Sequence, residues 1–181
     1  MVSRSRALIL AASTLLAATI VASAAEPPQA KPAVKADPVL MAKSVGDMTT
    51  QEEEQFSNAV EATMERVCIL CHPFENIIKT RRNVTDWNIQ VTTMAGRGAP
   101  GTDADFATIT KYLIRFYGLV HVNSATAEEL TSVLGLSAKD ANAVVEYRKA
   151  HGKFADLAAL EKVDGIDKAK LEEQREALKF D

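Results

Sequence analysis

The sequence predicts an all-α protein built from two small helical units, and three observations predict it. Apolar residues recur at helical spacing through three segments between Thr49 and Gly118. No run in that stretch alternates with period two. From Val122 onward a short helical pattern repeats at an offset of 30 residues. Of the 181 residues, 47% are apolar and 25% charged, which excludes full-length disorder and a collagen-like repeat. Two cysteines are too few for a disulfide-rich scaffold or a four-thiolate zinc site. A net charge of −3 lacks the basic footprint of a nucleic-acid binder.

The first segment reads as an address. Arg4 and Arg6 precede the apolar run Ala7 to Val21, which leads into Ala22-Ser23-Ala24-Ala25. A charged start, an apolar stretch and a small-residue cleavage pattern predict a secretory signal peptide over 1–25, and hence the bacterial periplasm. A bilayer span needs about 20 apolar residues, more than this run provides. Four of the six prolines (Pro27, Pro28, Pro32, Pro38) fall in the next stretch. Proline-rich polar chain stays extended, so 26–48 is expected to be a disordered linker.

The first unit is expected over 49–119. Thr50 with Glu53 predicts a capping box, followed by Phe56, Val60 and Met64 on one helical face. A second helix is expected after Thr85, with Trp87, Val91 and Met94 aligned, stopping at Gly96-Arg97-Gly98-Ala99-Pro100. Thr102 with Asp105 predicts the cap of a third helix that carries Phe106, Ile109, Tyr112, Leu113 and Phe116 and ends at Gly118.

Between the first two helices lies Cys68-Ile69-Leu70-Cys71-His72. Two thiols three positions apart can add to the two vinyl groups of one haem, and the adjacent imidazole can then ligate iron. The rival reading is a thioredoxin-like redox pair, which calls for a preceding strand and a Cys at a helix N-terminus. Here a helix precedes the motif. With that motif and this helix order, the segment from Thr49 to Gly118 resembles a small class I cytochrome c, particularly the short domains with a Trp-to-Met helix and a Gly-Ala turn. The resemblance implies first and last helices crossed against one covalently attached haem c. The loop between His72 and Trp87 is short for that family.

Met94 lies 22 residues after His72, before a Gly-rich turn, and a thioether opposite imidazole suits an electron carrier. Alternatively Met94 packs with Trp87 and Val91 as core. Arg81, Arg82, Trp87 and Tyr112 are candidate donors to the haem propionates. Lys79, Arg81 and Arg82 form a basic patch that could steer an acidic redox partner.

The second unit is expected over 122–181. Thr126 aligns with Asp156, Leu130 with Leu160, Val133 with Val163, Gly135 with Gly165, and Leu136 with Ile166. Each copy reads as cap, short helix, glycine hairpin and second helix, and two copies can bury their apolar faces on each other. With Tyr147-Arg148 and Gly152-Lys153-Phe154, this segment resembles tandem helix-hairpin-helix modules, closest to DNA-uptake receptors of the competence (ComEA) type. In that family the Gly-hydrophobic-Gly hairpin offers backbone amides to DNA phosphates, which would fall at Gly135 and Gly165. Ser137 and Asp167 replace the second glycines. Both are good N-caps whose oxygens can occupy those donors. The unit holds nine Lys and Arg against twelve Asp and Glu, the wrong sign for phosphate.

The expectation is therefore a periplasmic monohaem electron carrier, not an enzyme, that docks to a redox protein or dehydrogenase through its helical tail. The alternative is a haem-containing periplasmic protein of DNA binding or uptake.

Overall fold

The computed structural model describes residues 37–181. The expected signal peptide, and the expected linker as far as residue 36, lie outside the described residues. Those that follow are mostly helical and fall in one compact unit.

The chain enters through a strap that the sequence reading assigned to disordered linker. Asp37 accepts a hydrogen bond from the Val39 amide (2.9 Å) and caps α1 (Pro38–Ala42); a 3-10 turn follows over Val45–Asp47. Leu40, Val45 and Met48 are buried in the core. The prolines dominate the average over 26–48, yet its last ten residues carry enough apolar surface to repay ordering.

α2 (Thr50–Val67) is capped one residue earlier than expected. Thr49 Oγ1 accepts from the Glu52 amide, while Glu52 accepts from the Thr49 amide at 2.8 Å and from Lys43 Nζ at 2.7 Å. Lys43 first, then Thr49, holds the Glu52 carboxyl at about 2. Thr49 and Thr50 each have a Glu three residues on; Glu53 is instead drawn 2.5 Å from the buried Arg115 Nε. A short α3 (Phe74–Ile78) fills the loop after His72. α4 (Val84–Gly96) starts before Thr85 because Asn83 caps it, accepting from the Asp86 amide at 2.8 Å.

α5 (Asp103–Tyr117) has the expected Thr102–Asp105 capping box and ends at Gly118. It is the central helix. α2 and α4 pack on it, and so does α6 (Ala127–Leu134) of the second unit. Phe56, Val60, Met64, Trp87, Ile109 and Leu113 join Leu130, Val133, Leu134 and Leu136 in one continuous core.

The second unit follows its internal repeat closely. α6 leads through Gly135 to α7 (Ala138–His151), and α8 (Leu157–Leu160) leads through Gly165 to α9 (Lys168–Glu173). Thr126 and Asp156 cap the first helix of each copy; Ser137 and Asp167 cap the second. Two short strands that the sequence did not suggest flank the unit, the second of them directly after a 3-10 turn (Arg175–Ala177). β1 (Val120–His121) pairs in parallel with β2 (Leu178–Lys179), drawing the two ends of the unit together. Arg148 secures the same end by donating to the carbonyls of Val122 (2.5 Å) and Ala125 (3.0 Å).

Candidate functional site

The Cys68–His72 segment opens onto a cavity of about 540 Å³, within the about 300–1,000 Å³ typical of cofactor sites. Its walls follow from helix periodicity. The end of α2 supplies Val67 and Cys68, followed by Cys71 and His72. α4 contributes Trp87, Gln90, Val91 and Met94, whose spacing of three, four and seven residues puts them on one face. α5 adds Phe106, Ile109 and Leu113, and the turn Arg97–Ala99 closes the rim. Cys68, Cys71, His72 and Met94 thus line one space.

The thiols are free and differ in exposure, Cys68 half-buried and Cys71 exposed. Burial pushes the Cys68 thiol up, and Cys68 stands at the C-cap of α2, the negative end of the helix dipole. Both effects disfavour a thiolate and speak against an activated redox pair. Among the described residues three buried side-chain polar atoms lack a hydrogen-bond partner: His72 Nδ1, Arg82 Nε and Arg115 Nη1. Two of these belong to residues that line the cavity. No group of three His, Cys, Asp or Glu among the described residues is arranged to hold a bare metal ion.

The four candidate propionate donors separate. Arg82 lines the cavity with its guanidinium carbon 5.6 Å from the centre of the Trp87 ring. Trp87 lines it too, but its indole N–H donates to the Tyr117 carbonyl at 2.9 Å. Arg81 turns away, donating to the carbonyls of Phe116 and Gly118 (3.2 Å each), with Glu176 3.6 Å distant. Tyr112 is buried outside the lining, and burial, with Tyr117 and Glu61 nearby, pushes its hydroxyl up to about 12. Only Lys79 of the expected basic patch is exposed. The sequence reading missed Asn76, Gln90 and Arg97 on the wall. Filling in the Trp87–Met94 face at i+3 from Trp87, and extending it by three residues past Met94, would have found Gln90 and Arg97.

The two hairpins of the second unit are not equivalent. Gly135 (φ 67°) and Gly165 (φ 78°) both sit in the left-handed region the turn requires. Ser137 Oγ accepts from the Asp140 amide and Asp167 Oδ1 from the Lys170 amide, both at 3.1 Å. Around the first hairpin Gly135 and Leu136 are buried. The Arg115 guanidinium lies beneath Gly135, and Lys170 Nζ donates to the Gly135 carbonyl at 2.8 Å. The second hairpin is open: Asp164, Gly165 and Asp167 are exposed, and no described residue beyond its chain neighbours would lie within 4 Å of a Cβ at Gly165.

The family model described as a helix-hairpin-helix motif matches residues 117–179. Over 62 residues the chain is 44% identical to an uncharacterized protein of Haemophilus influenzae, covering 34% of this chain and 55% of that one. Over 60 residues it is 33% identical to ComE operon protein 1 of Bacillus subtilis, covering 33% and 29%. It shares 45% identity over 56 residues with the mouse endonuclease/exonuclease/phosphatase family domain-containing protein 1, covering 31% and 10%. The chain therefore spans about half or less of the length of these relatives. No solved structure matches it. The C-terminal third of the chain is a helix-hairpin-helix module.

Proposed function

We propose that this chain is an exported haem-containing protein whose helix-hairpin-helix module contacts DNA, in a binding or uptake role. The matched module with its second hairpin open to solvent carries the reading, and the similarity to ComE operon protein 1 supports it. Gly165 and Asp167 mark the exposed turn, and Lys162 and Lys168 are the exposed cations beside it. Gly135 and Ser137 belong to the buried hairpin.

The donor set of the cavity suits haem c. Cys68 and Cys71 would hold it covalently, His72 would ligate iron from the motif, and Met94 would ligate from α4. Two orphaned nitrogens on the cavity residues support the same occupant. Arg82 and Arg97 are the cations on the wall for propionates. Bound there, the group would supply a reversible one-electron couple. The apolar side chains of Val67, Val91, Ile109 and Leu113 would keep water from it.

A second reading, a single-electron carrier docking to a periplasmic redox protein, is favoured by the same cavity and by the acid excess of the module. Titration of labelled duplex with the haem-loaded chain at low and moderate salt separates them. The DNA reading expects weak binding that falls with salt and is lost in Lys162→Glu/Lys168→Glu. Absence of binding at low salt would leave the electron-carrier reading in its place.

A further inference from the structure

The first hairpin is buried by this chain's own N-terminal strap. A Cβ at Gly46 would collide with the Leu136 carbonyl oxygen and crowd the Thr131 methyl. Only a glycine lets the strap backbone come so close to the hairpin. Val45 and Gly46 are buried there. The strap is fastened from both sides. Lys111 Nζ donates to the Met41 carbonyl at 3.1 Å and to that of Lys43, and Lys43 pairs with Glu52.

Beneath the plug the hairpin is ringed by charged groups of both signs. Arg115, 1% exposed, gives Nε to Glu53 at 2.5 Å and has Nη2 4.0 Å from Glu173, while its Nη1 has no partner among the described residues. Lys170 reaches the Gly135 carbonyl from the other copy. Arg115 and Lys170, countered by Glu53 and Glu173, and one unused buried donor thus stand at a hairpin that the strap closes, while the open hairpin carries Asp164 and Asp167 beside Lys162 and Lys168. The hairpin with the unused buried donor is the covered one.

We infer that the strap Ser44–Met48 is a resident occupant of the first hairpin, and that a duplex phosphate reaches this hairpin only when the strap leaves. The inference rests on the nucleic-acid reading above. The whole entering segment from Asp37 to Met48 holds by three buried side chains, Leu40, Val45 and Met48, and a few polar contacts, so it belongs to the part of the fold that opens at low cost.

Gly46→Val should wedge the strap away, and Lys111→Met should loosen it without touching the hairpin. Amide hydrogen exchange at Leu136 and Ser137 and titration of labelled duplex are measured on the wild-type chain and both variants. Exchange should speed up on the order of tenfold, with duplex binding about three- to tenfold tighter at low salt and a steeper salt dependence. Faster exchange with unchanged duplex affinity would overturn the inference. Unchanged exchange in both variants would also overturn it, because Arg115 and Lys170 would then be the cover. Lys168→Glu, at the open hairpin, keeps the underlying reading separate. If it weakens wild-type binding, that reading stands whichever way the strap variants fall; if no protein binds duplex, both fail.

Discussion

Asp105 shows how one side chain ties two helices together. Its carboxylate accepts from the Thr102 amide at 2.9 Å, closing the α5 cap, and from Arg66 Nη2 of α2 at 2.7 Å. Arg66 first, then Thr102, holds it at about 2, below its ordinary 3.8, against the opposing effect of burial. Because the folded value is the lower one, the ionised group stabilises the fold above about pH 4. That contribution disappears as pH falls through about 2. Asp105→Ala should cost about 1–2 kcal/mol at neutral pH, mostly from the lost cap, since a solvent-facing pair adds little. Urea denaturation across pH 7 to 2 should show the gap between wild type and variant closing in acid. A gap independent of pH would remove the carboxylate from the account.

The two hairpins have the same local chemistry in different surroundings. Alanine at Gly165 meets only the cost of a left-handed backbone, about 1–2 kcal/mol. Alanine at Gly135 also places a methyl 3.0 Å from the Arg115 guanidinium. It should cost about 2–4 kcal/mol, because overpacking is added to the backbone strain. Thermal denaturation of the two variants checks this, and equal losses would contradict the tight enclosure of the first hairpin by Arg115. The repeat itself was legible in sequence because each part has a single-residue signature: an oxygen-bearing cap, a glycine turn, an apolar partner. Residues 126, 135, 137, 156, 165 and 167 all take the expected local roles. The burial of one hairpin was not legible. It depends on Gly46 and Arg115, which read locally as linker and as the last turn of a helix.

At the scale of the molecule, the second unit is part of the core and not a free tail. α5 packs against α6, and Arg115 on α5 reaches Glu53 of α2 on one side and Gly135 on the other. Arg115→Met would leave Glu53 without its charge partner at a half-buried site and should cost about 3 kcal/mol, near the low end for breaking a buried pair. Wild-type unfolding followed by Trp87 fluorescence and by far-ultraviolet circular dichroism should coincide, as for one cooperative unit. Two separated transitions would contradict this unity. The motif at Cys68–His72 and the Trp87–Met94 face were readable from spacing, whereas Arg81's turn toward Glu176 was not, because it follows from how the second unit closes. What the cavity holds is tested most directly by the colour of the protein after denaturation. The chain, exported alongside haem-attachment machinery, should keep its haem spectrum through acid-acetone extraction and lose it in Cys68→Ala/Cys71→Ala. Colourless wild-type protein, or colour that extracts freely, would contradict the account.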